Sequence, residues 1–384
     1  MSEPSIAPGT DSARAEERTD QQTQQQILEE TRAFVADVET VLASWFDEQR
    51  DFARGIAAAA EPVVESIAQL STGGKRTRAQ LLYWAWRSAG GAADSPVPRG
   101  AAAGLELFQT AALVHDDIID RSATRRGMPS VHERFRALHR ESGWSQDPGH
   151  FGVSAAVLTG DLALSWSEQL FHRAVAEAGH PAGALEDFTA MRTEVMLGQY
   201  LDVHAEVAAS TLPAEQAIER AFEVIRYKSA KYSAEHPAAL GALLAGADAS
   251  FVQSCRDLAL PLGEAFQIRD DILGVFGDPE TTGKPAGDDL REGKRTVLVG
   301  LHLRAASRED AALVAEALGD QSLGDAEVEA LREALRRSGA LAETERVVDE
   351  LSERVRAGLD ALPTRPVPRA ALRRLARALI SRAS

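Results

Sequence analysis

The stretch LVHDDIIDRSATRRG, residues 113–127, sets Asp116, Asp117 and Asp120 among the core types Leu113, Val114, Ile118 and Ile119, and follows them with Arg121, Arg125 and Arg126. On a helix Asp116 and Asp120 stand one turn apart on one face, with Asp117 beside them. Carboxylates this close repel one another and are seldom buried without a partner. Arg125 and Arg126 could compensate them in a salt-bridge cluster with no role beyond stability. A second pair, Asp270 and Asp271 in FQIRDDILGVFG (266–277), points further. Two such helices facing each other would line a cavity with carboxylates from both sides. Magnesium takes oxygen ligands, keeps several waters and is often held by one or two carboxylates together with substrate phosphates.

The bases fit that chemistry. Five of the 42 basic residues are lysines: Lys75, Lys228, Lys231, Lys284 and Lys294. They lie in GGKRTR, YKSAK, TGKPAGDD and EGKRT, beside glycine, small hydroxyls or further charge, which is the setting of a phosphate site. The lysine ammonium is a compact, mobile charge, physically unlike the arginine fork. Acid and base clusters on separate helices, above apolar walls, suggest a metal-bridged diphosphate with a greasy tail below.

The elements that must position these groups are helices. Apolar residues recur at helical spacing in ILEETRAFVADVETVLASWF and again from about residues 75, 101, 151, 182, 213 and 250. No alternating strand run bounded by hairpin turns appears. Ser307-Arg308-Glu309-Asp310 reads as a capping box for a late helix. The reading is a disordered polar tail over residues 1–26 and one all-α domain over 27–384. A net charge of −16 disfavours a nucleic-acid partner. Cys255 is the single cysteine, which excludes an intrachain disulfide and a cysteine-rich metal site. The opening residues show no apolar signal core, and no run approaches the ~18 apolar residues of a transmembrane span. A cytoplasmic location is expected.

Taken in order, the motifs resemble those of the trans-isoprenyl diphosphate synthases, or polyprenyl synthetases. DDxxD stands whole at residues 116–120 and is followed by Arg125-Arg126-Gly127. Upstream, GGKRTR is similar to GGKRxRP, with Ala79 replacing proline. GQYLD (198–202), KSAK (228–231), FQIRDD (266–271) and GKPAGDDLREGKRT (283–296) follow in family order. The resemblance implies a single-domain helical bundle around a deep central cavity, and a homodimer. It also implies magnesium-dependent, head-to-tail transfer of an allylic diphosphate onto isopentenyl diphosphate. By that resemblance Asp116, Asp120 and Asp270 hold magnesium, three ions per site, and Asp117 and Asp271 orient them. Arg125, Lys228, Lys284 and Lys294 grip the allylic diphosphate, while oxygens of Ser229 and Gln267 face the allylic cation. Isopentenyl diphosphate sits on Lys75, Arg78, Gln109 and Arg126. The catalytic set is then Asp116, Asp120, Lys228, Gln267 and Asp270. His115 is expected to pack or to orient a carboxylate, and Lys231 carries no role.

The pattern is broken at Gly274, where many relatives have a third aspartate. The reading expects Gly274→Asp to be tolerated and to lower the magnesium requirement. Relatives that stop at fifteen carbons often carry aromatic residues four or five positions before the first aspartate, where this chain has Ala111 and Ala112. Phe108 lies about 12 Å below Asp116 along a helix, at ~1.5 Å per residue, and is the expected floor of the tail pocket. Geranylgeranyl diphosphate is therefore the expected product, with farnesyl or longer products as alternatives. A terpene cyclase would need a second metal motif usually built around asparagine, which this chain lacks altogether. A noncatalytic subunit modulating another prenyl synthase is the remaining competitor, with Gly274 as its sign of decay.

Overall fold

Long amphipathic helices dominate the computed structural model, which describes residues 9–208, 213–277 and 287–381. α1 (Gly9–Ile56) corrects the expectation of a disordered tail: residues 9–26 are helical, and residues 1–8 lie outside the described residues. Gln, Glu, Arg and Ala are good helix formers, so polar composition here lets the helix run on ahead of its packed part. Ile27, Phe34, Val38, Leu42 and Trp45 then form its buried stripe.

α2 (Glu61–Ser71), α3 (Thr77–Ser88) and α4 (Val97–Ile119) come next, and the last turn of α4 carries the first aspartates. After them stand α5 (Val131–Glu141), α6 (Pro148–Glu177), α7 (Ala184–Ala208) and α8 (Ala214–Val224). α8 runs into a π-helical segment, Ile225–Glu235, and that runs into α9 (His236–Leu244). α10 (Ala249–Phe276) carries the second aspartate pair. The chain then passes through α11 (Asp288–Glu292), α12 (Val297–Ala305), α13 (Arg308–Ala317), α14 (Asp325–Arg337), α15 (Ala340–Ala361) and α16 (Pro366–Ile380). Ser307 caps α13 as expected, its hydroxyl accepting from the Asp310 amide at 3.1 Å.

The fold is all-α. Among the described residues the strands are Thr124–Arg125 and Met128–Pro129, one short antiparallel ribbon. Its two turn residues, Arg126 and Gly127, have φ of 55° and 73°, the double left-handed conformation that a tight hairpin demands. Residues from α1 to α4, the π segment, α6, α9, α10, α15 and α16 build the main core, and α10 shares a second core with α8, the π segment and α11 to α15. No helix among the described residues is long and apolar enough to cross a membrane.

Two close approaches between helices fix the segments that bear the charged motifs. Small residues let α4 lie against α6, where the Ser167 hydroxyl donates to the Gly104 carbonyl at 2.6 Å. The π segment is wedged between α7 and α10 in the same way. A methyl group on Gly198 of α7 would stand 2.3 Å from the Lys228 amide nitrogen, and one on Gly263 of α10 would stand 2.5 Å from the Ala230 carbonyl oxygen. Backbone therefore meets backbone on both sides of the segment that carries Lys228 and Ser229.

Candidate active site

Asp116 and Asp120 on α4 and Asp270 and Asp271 on α10 line one cleft of about 310 Å³, together with Lys228 and Lys294. The expected facing of the two helices is thus present. The Arg125 Nε donates to Asp117 Oδ1 at 2.7 Å, and its Nη2 reaches Asp116 Oδ2 at 3.2 Å. The hairpin ribbon is what turns Arg125 back onto the helix end. Lys228 ion-pairs with Asp202 of α7 and lies 3.4 Å from Asp116 Oδ1. Lys294 holds Asp289 at 2.9 Å and Glu292 at 2.8 Å.

The carboxylates divide by electrostatic environment. Burial pushes Asp116 up, but Lys228, Arg125 and Lys294 together hold it below the usual carboxylate range. Burial, with Asp116 next to it, drives Asp120 up to about 7. Burial and the neighbouring Asp289 carry Asp271 to about 7 as well, against the hydrogen bond from Gln267. Lys228 is raised: Asp202, Asp116 and Asp120 outweigh its burial. Burial thus leaves Asp120 and Asp271 readily protonated, while the surrounding cations keep Asp116 charged.

That donor set fits magnesium. Asp116, Asp120 and Asp270 offer hard oxygen atoms, and Asp117 Oδ2 is buried without a hydrogen-bond partner. Among the described residues no three acidic, histidine or cysteine side chains converge into a ready-made cage. Magnesium characteristically completes its shell with water and phosphate oxygens instead.

A second cleft of about 370 Å³ adjoins the first and is lined by Lys75, Arg78, Gln109 and Arg126. Arg76, left-handed at φ 49°, is buried, its guanidinium bound to Glu106 at 2.7 Å and Glu39 at 2.6 Å. That anchor fixes the loop from which Lys75 and Arg78 project. Partial burial and the cations Arg76, Arg125 and Arg78 pull Arg126 down, with Glu106 opposing, as suits a basic patch made to receive an anion.

Ser229, Tyr232, Gln267 and Asp270 line both clefts and form their common wall. The Tyr232 hydroxyl donates to Gln109 Oε1 at 2.5 Å and accepts from Arg78 Nη2 at 2.5 Å. The Arg78 guanidinium also sits 4.3 Å over the Tyr232 ring. Tyr232 was not among the expected residues, nor were Gln199, Asp202 and Asp289. Gln199 and Asp202 were signalled by GQYLD, whose polar members share one face of α7. Tyr232 was signalled only by its place one turn beyond Lys228.

Lys284, expected among the diphosphate cations, lies outside the described residues. Ala112 lines the first cleft, whereas Ala111 is fully buried in the main core and lines neither. Helix phase separates them, since adjacent residues point about 100° apart. Phe108 is buried behind the common wall, edge-on to Tyr232 at 6.0 Å. Lys231 faces away to Glu194 at 2.6 Å, and His115 approaches Asp161 of α6 at 3.5 Å. A methyl group on Gly274 would lie 1.9 Å from Asp289 Oδ2, so the expected Gly274→Asp exchange requires the Asp289 carboxylate to move.

Comparison with known proteins bears on this geometry. Residues 61–335 match the model of the polyprenyl synthetase family. The chain is 34% identical over 263 residues to a geranylgeranyl diphosphate synthase of Sulfolobus acidocaldarius, covering 67% of this chain and 72% of that one. It is 30% identical over 308 residues to a geranylfarnesyl diphosphate synthase of Natronomonas pharaonis, covering 77% and 82%. Among solved structures, a geranylgeranyl pyrophosphate synthase of Corynebacterium glutamicum, complexed with isoprenyl diphosphate and magnesium, matches with a TM-score of 0.84 and 38% identity. The match covers 91% of this chain and 99% of that one.

Proposed function

The chain belongs to the polyprenyl synthetase family, and on that premise we propose how its residues divide the work of a trans-prenyltransferase and which product it makes. The observation that carries the reading is the single cleft into which Asp116 and Asp120 of α4, Asp270 of α10, Lys228 and Lys294 all open. No salt-bridge cluster built only for stability needs such a cavity at its centre.

The first cleft takes the allylic diphosphate. Arg125, Lys228 and Lys294 receive its charge, with Lys284 as a further cation by family pattern. Magnesium, which polarises and neutralises the departing diphosphate when bound, would be held by Asp116, Asp120 and Asp270, three ions per site. The second cleft takes isopentenyl diphosphate on Lys75, Arg78 and Arg126, with Gln109 beside them. The common wall then faces the reacting carbons: the Ser229 hydroxyl and the Gln267 amide oxygen offer partial negative charge toward the allylic cation. The allylic C–O bond breaks, a C–C bond forms to isopentenyl diphosphate, and one proton leaves to the released diphosphate. The apolar walls keep water from trapping the cation.

Product length is set at the first cleft's apolar end. Ala112 leaves the tail a path beside α4, and Tyr232, backed by Phe108, closes it below. We assign geranylgeranyl diphosphate as the main product. Val153, Val157 and Leu158 on α6 and Met196, Leu197 and Tyr200 on α7 stay exposed, which supports a homodimer. The test is product chromatography after supplying isopentenyl diphosphate and magnesium with dimethylallyl, geranyl or farnesyl diphosphate. A twenty-carbon product is expected. A fifteen-carbon or longer main product overturns the assignment of length, and no product from any primer overturns the reading itself.

A further inference from the structure

Asp187, Glu194 and Gly198 form one stripe along α7: at ~100° per residue, Glu194 and Gly198 fall within about 20° of the Asp187 direction. At Gly198 the stripe meets the backbone of Lys228, and one turn away Glu194 holds Lys231 Nζ at 2.6 Å. The contacts continue from there. Glu194 reaches His236 Nε2 at 2.8 Å, and His236 Nδ1 reaches Asp187 at 3.1 Å. Asp187 binds Arg256 of α10, which returns to Glu235 of the π segment at 3.0 Å. Acid and base alternate through six side chains from four elements, none more than 26% exposed.

None of the six lines either cleft, so the substrates do not account for them. Stability accounts for them poorly too. Buried ion pairs repay little beyond their desolvation, and apolar packing would join these helices as firmly; what directed charge adds is register. The glycine contact leaves that need open. With no side chain to interlock, it lets two backbones come close without fixing where along the axis they stop.

We propose that Lys231, Glu194 and His236 are positioning residues: their network sets the axial register of the π segment against α7, and so places Lys228 and Ser229 in the first cleft. The inference rests on the reading of that cleft as the allylic diphosphate site. His236 completes the balance, since the three acids are matched by three cations only while it carries its proton. Burial works against that proton, but the bonds to Asp187 and Glu194 outweigh it. The charged side chains of α3 and α4 are engaged elsewhere. Those of α3 bind Tyr232, Ser233 and Glu30, and those of α4 pair with Asp37, Arg76, Asp161 and Arg125.

The test is steady-state turnover of the full chain with isopentenyl and farnesyl diphosphates and magnesium, with circular dichroism to confirm folding. Lys231→Met keeps the stem and removes the charge, and should lower kcat ~10-fold or more through misplacement of Lys228 and Ser229. Lys231→Arg should recover most of that loss. Glu194→Gln should resemble Lys231→Met, and the double variant should be little worse than either, because the pair acts as a unit. His236→Gln adds a signature that lost stability alone does not give. The ratio of wild-type kcat to its own should be greatest below pH about 6.5 and fall as pH rises through the folded value. Arg50→Met, which breaks the 2.6 Å pair with Glu65 between α1 and α2, is the control and should leave kcat within about threefold. Folded Lys231→Met and Glu194→Gln with kcat that close to wild type overturn the proposal. So does a His236→Gln ratio that pH leaves unmoved. If Lys231→Met does not fold, the two glutamine variants, which keep shape, decide it. A wild type that makes no product from any primer overturns the functional reading and this inference with it, whereas an active wild type with unaffected variants removes the inference alone.

Discussion

Gly198→Ala puts the backbone-to-backbone packing of the π segment to a direct test. The new methyl group would meet the Lys228 amide nitrogen at 2.3 Å and the Tyr227 carbonyl carbon at 2.4 Å. Nonbonded atoms of this kind rest near ~3.5 Å, so the segment must retreat by roughly 1 Å. Retreat is blocked on the far side, where Gly263 already lets the Ala230 carbonyl lie against α10. The displacement therefore reaches Lys228, whose ammonium is held between Asp202 and Asp116. A misplacement of about 1 Å at a reacting site costs on the order of 100-fold in rate, or about 2.7 kcal/mol of barrier. Overpacking adds about 1–3 kcal/mol of lost stability. Steady-state turnover with isopentenyl and farnesyl diphosphates, alongside circular dichroism melting, reads both. Gly55→Ala is the control, since a methyl group there meets nothing within 4 Å. A folded Gly198→Ala variant with turnover within about threefold of wild type would refute this reasoning.

Asp116→Asn should lower turnover by orders of magnitude while the helical fold persists, and near-normal turnover at saturating magnesium would dismiss its role. Ala112→Phe should shorten the product toward farnesyl diphosphate on chromatography. Ala111→Phe should instead destabilise the core and leave product length alone, since that side chain points away from the cleft. His236 gives a pH signature. It faces Asp187 and Glu194 of α7, with Lys231 and Glu235 of the π segment and Arg256 of α10 around it. Burial works against its proton, but the two acidic partners raise it above 6.5. Its contribution is then complete below pH about 6.5 and fades as pH rises through the folded value, so His236→Gln should flatten that alkaline loss in melting temperature.

Much of the site was legible because helix period and residue type agree there. Asp116 and Asp120 share a face at i and i+4, and Asp270 heads a second such face, so paired carboxylates emerge from spacing alone. That the two faces meet across one cleft came from the family resemblance, since pairing is a tertiary fact. The π segment was not legible: nothing in IRYKSAKYSAE asks for a widened helix, and the glycines that let other backbones approach it, Gly198 and Gly263, lie on other elements. The same holds for the surroundings of Gly274, where the Asp289 carboxylate arrives from another element. Helix phase did separate Ala111 from Ala112, but which of them faced a cavity depended on the neighbours. The opening segment erred in the other direction. Its polarity suggested disorder, while its residue types also favour helix, and residues 9–26 take that form.

Tyr232 has a thermodynamic consequence. One phenol belongs to the walls of both clefts, and its hydroxyl joins Arg78, a cation of the second cleft, to Gln109. An anion that draws Arg78 toward itself weakens the bond that orients the phenol, and so alters the wall seen by the other substrate. On the proposed reading, any linkage between occupancy of the two clefts is reciprocal in free energy. Whatever factor the five-carbon diphosphate applies to the affinity of the allylic one, the allylic one returns in full. Chain growth gives that linkage a direction, because each product must vacate the second cleft's neighbour or remain there as the next allylic substrate. On the proposed reading, the balance between release and another round then depends partly on a hydroxyl group that performs none of the bond-making.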